Sequence, residues 1–141
     1  MKLHYFNYEI ESNKNFGTYQ IGIFLDYGLG ERGNRLMNTL LKERINNHQF
    51  EYEILNVVKN NLPMNGHPWT PREIIVGSDR VLAIKINDNS INKETMLTLN
   101  DAERISEAVI KHLKQEHLKP IHSFMLNMKA YEQFKELEAR R

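Results

Sequence analysis

The sequence predicts an α+β fold with a mostly antiparallel β-sheet, in the order β-β-α-β-β-β-α-α. Three observations carry that expectation. Apolar residues alternate with polar ones at Leu3–Ile10, Tyr19–Leu25, Phe50–Val58, Glu73–Val76 and Arg80–Ile86, the period of a strand. Short polar or Gly-bearing stretches join several of these runs, as in hairpins. Apolar stripes at helical spacing fall after the second run and in the C-terminal third, which is the pattern of an antiparallel sheet with helices laid on it. At 141 residues, with 40% hydrophobic and 26% charged residues, the chain has the size and composition of one domain spanning 1–141.

In the first strand His4, Phe6, Tyr8 and Ile10 share one face and Leu3, Tyr5, Asn7 and Glu9 the other. The polar stretch Glu11–Gly17 reads as a wide hairpin loop. The second strand turns Tyr19, Ile21, Ile23 and Leu25 inward, with Gly22 on the opposite face marking a bulge or a close neighbour. A helix from Asn34 to about His48 carries Leu36, Met37, Leu40, Leu41 and Ile45, with Asn34 as its cap and Asn46-Asn47 ending it. Phe50, Tyr52 and Ile54 then alternate with Glu51, Glu53 and Leu55, giving a third strand. Lys59–Pro71 is the longest irregular stretch and holds three of the four prolines and the single Trp. Gly77-Ser78-Asp79 joins Glu73–Val76 to Arg80–Ile86 as a hairpin. A helix over 100–118 follows, with Asn100 in the cap position of a capping box and Ala102, Ile105, Ala108, Val109, His112 and Leu113 as its stripe. Lys119-Pro120 breaks it. A last helix starts at Ser123, and its apolar residues cover more than one face, which suggests a homodimer contact.

Several function classes are set aside by composition. Without cysteine the chain has no disulfide and no thiolate metal site. No apolar run reaches 18 residues, and Met1–Tyr8 lacks the layout of a signal peptide, so the expectation is a cytoplasmic protein without a membrane span. A net charge of +1 gives no global attraction to nucleic acid. A basic strip of Lys111, Lys114, Lys119, Lys129 and Lys135, with Phe124 and Tyr131 as stacking groups, offers nucleic-acid binding through the C-terminal helices. Interleaved acids make a mixed solvated face the simpler reading.

Two regions stand out as candidate sites. The first is the loop Gly28-Leu29-Gly30-Glu31-Arg32-Gly33, in which G-x-G-x-x-G lies between a strand and a helix; five of the seven glycines fall between Gly17 and Gly33. Such a loop lets backbone amides at a helix N-terminus approach a phosphate, with Arg32, Asn34 and Arg35 adding contacts. Asp26 and Glu31 oppose an anion there, and a turn needing positive backbone angles is the alternative. The candidate ligand set is Gly28, Gly30, Arg32, Gly33, Asn34 and Arg35. The second region is the Pro-rich loop, where His67, Trp69 and Arg72 form a candidate partner-binding set, since exposed Trp is enriched at binding hot spots. His67 with Asp79 and Glu73 forms an acid–base arrangement if the fold brings them together. If Trp69 is buried, the loop is a lid on the core.

Other chemistry finds less support. No histidine pair has metal-ligand spacing, and a site from His112, Glu116, His117 and His122 is weaker than the reading of solvated neighbours. Asp79 before Ala83-Ile84-Lys85 lacks the second acid of a metal-dependent nuclease. There is neither a P-loop nor a nucleophile elbow. The stretch Ile21-Gly22-Ile23-Phe24-Leu25-Asp26, Arg32-Gly33, Leu40-Leu41 and Glu53-Ile54-Leu55-Asn56-Val57 loosely resembles the strand–turn–helix–strand unit of acyl-CoA-dependent N-acetyltransferases over about 40 residues. Leu25 stands where that family's turn begins with Gln or Arg. The resemblance implies an acyl-CoA-using or nucleotide-using enzyme built on 19–58. The leading expectation is a small non-catalytic binding or regulatory protein of inhibitor or sequestration type, in the manner of bacterial or phage accessory proteins. It would act on a protein partner or a phosphorylated, nucleotide-like ligand and need neither a cofactor nor a metal.

Overall fold

The computed structural model describes residues 2–10, 16–64, 67–90, 93–118 and 126–128. Its elements are β1 (Lys2–Ile10), β2 (Gly17–Phe24), α1 (Gly30–Ile45), α2 (His48–Asn60), β3 (Trp69–Val76), β4 (Val81–Asp88) and α3 (Leu99–His112), with a 3-10 turn at Lys93–Thr95 and a π-helical turn at Leu113–Leu118 after α3. The four strands form one antiparallel sheet in the order β1-β2-β4-β3. The α+β class and the antiparallel sheet therefore stand, while the order of elements differs from the expectation.

The main correction is residues 50–58, which form helix α2 and not a third strand. Phe50, Ile54 and Val58 are buried at intervals of four, whereas Tyr52, inward on the strand reading, is 66% exposed. Over Phe50–Val58 both periods are present in the sequence, and the ends decide between them. Asn47 does not only end α1; its Oδ1 accepts from Gln49 N (2.9 Å) and Phe50 N (3.4 Å) and starts the next helix. The unit 19–58 is thus strand–turn–helix–helix, without the closing strand that a βαβ unit or the acetyltransferase resemblance requires.

Smaller corrections follow the same logic. α1 begins at Gly30, so Asn34 is its fifth residue, just past the first turn, and not the cap. α3 is capped by Thr98 and not by Asn100: Asp101 N donates to Thr98 Oγ1 (3.2 Å) and Thr98 N donates to Asp101 Oδ2 (2.8 Å), a closed capping box. The irregular stretch is shorter than expected, because α2 runs to Asn60 and β3 starts at Trp69. Pro71 is tolerated there because β3 is an edge strand with a register shift between Pro71 and Glu73. The expected helix from Ser123 is described only at 126–128, which are helical and exposed. The hairpin loop 11–15, the break at 119–120 and the remainder of the last helix lie outside the described residues.

Gly22 plays both roles expected of it. It pairs with Tyr5 at the point where β1 shifts register, and a Cβ at Gly22 would run into the Tyr5 ring. The ring therefore lies against the sheet over the glycine.

One core holds the domain together. Tyr19, Ile21 and Ile23 of β2, Leu82, Ile84 and Ile86 of β4, and Ile74 and Val76 of β3 face Met37 and Leu41 of α1, Ile54 and Val58 of α2, and Ile105 and Val109 of α3. α1 and α2 lie against β3, α3 lies against β1 and β2, and α2 packs beside α3. All of these helices feed the same core, so they occupy one side of the sheet. α1, α2 and α3 leave the other side of the sheet open.

Candidate functional site

The glycine loop is built as a self-satisfied turn. Gly28 and Gly30 have φ of 69° and 73°, and a Cβ at either would meet nothing within 4 Å, so backbone conformation and not space calls for glycine. Gly33 instead has Leu29 against it. The Asn34 side chain is buried and reaches back: its Oδ1 accepts from Tyr27 N (3.1 Å) and Leu29 N (3.4 Å), and its Nδ2 donates to Asp26 Oδ1 (3.3 Å). Asp26 Oδ1 also accepts from Gly28 N (3.0 Å). That amide, then Asn34 and the Arg80 charge, hold the Asp26 carboxyl below its usual range. The loop amides at 27, 28 and 29 are thus already donated, and a carboxylate sits among them. Arg35 pairs with Glu31 at 2.7 Å in solvent, and Arg32 is exposed.

The second set comes apart. His67 and Trp69 are neighbours, with ring centroids 4.7 Å apart, while Arg72 is exposed on β3. Trp69 opens β3, half-buried against the core, with its indole nitrogen shielded from solvent. The expected partners of His67 are elsewhere. Asp79 Oδ1 accepts from Val81 N (3.2 Å) in its own turn, and Glu73 pairs with Lys85 (3.2 Å). His67 Nε2 lies 2.5 Å from Asp88 Oδ1, and His67 Nδ1 lies 2.6 Å from Thr95 Oγ1. The imidazole and the carboxylate are 4% and 0% exposed.

Asp88 closes this network from below. It accepts from Ser90 N at 3.2 Å and from the Tyr8 hydroxyl at 3.4 Å. Burial, then the Asp88 charge, push the Tyr8 phenol up to about 12, which keeps it a donor. Beside it, Leu97 N donates to Tyr19 Oη (3.2 Å). The Tyr19 phenol is also raised by burial, partly offset by that amide. The hydroxyl–imidazole–carboxylate connectivity is that of a proton relay. With the imidazole enclosed, its evident work is to tie the 3-10 turn and the segment entering β3 to the end of β4. Asp88 was legible in principle: after Leu82, Ile84 and Ile86 the strand period puts residue 88 on the core face.

Among the described residues the face of the sheet turned away from α1, α2 and α3 divides in two. Thr18, Gln20 and Asn87, with Asn7 and Glu9 of β1, form a polar half. Half-buried Tyr5, Phe24 and Ala83 with Ile75, which is 44% exposed, form an apolar half around the buried Gly22 and Val81. Phe24 carries the Arg80 guanidinium over its ring at 4.9 Å, and His4 lies 6.1 Å from it, ring to ring. Arg80 has φ of 64°, the only non-glycine left-handed residue among those described, a conformation that costs about 1–2 kcal/mol outside glycine. Sequence reasoning passed over Arg80, Phe24 and Tyr5 because each fits an ordinary strand pattern.

Among the described residues no group of three His, Asp or Glu side chains is placed to hold a metal. His112 lies 3.9 Å from Glu53; the His117 side chain and His122 lie outside the described residues. No helix among the described residues is long and apolar enough to cross a membrane. Compared with protein-family models, with curated proteins and with solved structures, the chain matches none.

Proposed function

We propose that the chain is a small binding protein that acts by occupying a protein partner, and that it does so through the uncovered face of its sheet. One observation carries the reading. The helices of the described chain stack on one side, and the other side keeps an apolar, aromatic-centred patch of Tyr5, Phe24, Ala83 and Ile75 beside a polar field. Protein interfaces have this composition, with aromatic residues and Arg at the centre and hydrogen-bonding groups at the rim. Side chains held on paired strands also suit a pre-formed surface that need not reorganise on binding.

The test is affinity capture from native cell extract with the folded wild-type chain and with Phe24→Glu, Arg35→Ala and Tyr52→Ala. A partner that co-purifies with wild type, Arg35→Ala and Tyr52→Ala, and is lost with Phe24→Glu at an unchanged melting profile, supports the face. A partner lost with Arg35→Ala and kept by Phe24→Glu refutes it and moves the site to the glycine loop.

A further inference from the structure

We propose that the open face ends in a carboxylate-binding subsite centred on Arg80, and that the partner segment it takes presents an Asp or Glu there beside an apolar side chain. This rests on the reading of the face as a protein-binding surface. Arg80 occupies a left-handed position in the β3–β4 turn, where Gly or Asn is the less strained choice. The backbone role of the residue needs no side chain: its carbonyl accepts from Leu25 N (2.8 Å) and its amide donates to Gly77 O (3.3 Å). Glycine would make both bonds without strain. What the arginine adds is a guanidinium over Phe24 at 4.9 Å.

That placement is suited to a carboxylate. The cation–π contact restrains the guanidinium over the ring, so less freedom is lost when it binds a planar anion. Among the described residues Arg80 makes no salt bridge. Asp26 feels its charge, but Asp26 Oδ1 is held by Gly28 N and Asn34 Nδ2. Lys85, a second cation on this face, is paired with Glu73 at 3.2 Å. Among the described residues the apolar half thus carries one positive charge held over a ring and outside any salt bridge, and its complement is an acid with an apolar neighbour to cover Phe24, Ala83 and Ile75.

The probe is a phage-displayed library of random linear peptides selected on the folded full chain. The expected peptides carry Asp or Glu beside an apolar residue and fail to bind Phe24→Glu. They bind Arg80→Gly about 10- to 100-fold more weakly, the loss of one charge-assisted contact. Replacing the peptide acid by its amide should cost the same factor on wild type and nothing further on Arg80→Gly. Arg80→Gly relieves the left-handed backbone and so keeps the fold, while Arg80→Lys, which keeps charge but not the fork, should fall between. Peptides that need Phe24 but carry no acid and bind Arg80→Gly equally overturn the subsite and leave the face standing. If no selected peptide needs Phe24, or if the chain sediments as a dimer that Phe24→Glu dissolves, both readings fall.

Discussion

Removing the imidazole of His67 strands a charge in the core. In His67→Ala, Asp88 remains fully buried and keeps only Ser90 N at 3.2 Å and the Tyr8 hydroxyl at 3.4 Å. Breaking a buried pair from one side costs about 3–5 kcal/mol, because the remaining group is left desolvated. Unfolding entropy near the midpoint is about 2.1 cal/mol/K per residue, so a chain of 141 residues changes its midpoint by about 1 °C for every 0.3 kcal/mol. The expected fall in Tm is therefore ~10–17 °C. A second substitution separates this cause from lost packing against Trp69. Asp88→Asn alone removes the charge that His67 faces and should destabilise. In the His67→Ala background the same change removes the stranded charge and should raise Tm, giving a coupling of about 2 kcal/mol of opposite sign. The assay is thermal denaturation of the four proteins of the cycle, followed by circular dichroism. A His67→Ala midpoint within about 3 °C of wild type, or an additive cycle, would refute the tie between the two segments.

Gly22→Val should cost about 1–3 kcal/mol by forcing the Tyr5 ring off the sheet, and Tyr5→Ala in the same chain should recover most of it; equal losses in both backgrounds in urea melts would discard the contact. Thr98→Ala opens the capping box of α3 and should cost about 1 kcal/mol, a value that a loss under about 0.3 kcal/mol would contradict. The Tyr8 phenol is raised from 10.0 to about 12 in the fold, so the folded state favours its neutral form. That contribution is complete below pH 10 and disappears as pH climbs through about 12. Stability should decline across this window, and Tyr8→Phe should decline less steeply; parallel curves in alkaline urea titrations would exclude Tyr8 as the cause.

The sequence by itself determined the class of this fold and the outline of its sheet. Alternation at Tyr19–Leu25 and at Ile74–Ile86, with a Gly-bearing turn between the latter strands, depends only on local period and turn chemistry, and both are readable along a line. The Gly22 contact was readable for the same reason, since a glycine inside an apolar strand asks for a close neighbour. The tertiary structure alone decided the rest. Phe50–Val58 fits both periods, and it became a helix because the core needed apolar groups at 50, 54 and 58 and left Tyr52 in water. His67, Asp88 and Thr95 belong to three separate segments, and no spacing rule links residues that meet only when the sheet closes. The open face is also a tertiary fact. Tyr5, Phe24 and Arg80 acquire a shared surface because α1, α2 and α3 are drawn to the other side of the sheet, where one continuous core excludes more water than two thin ones.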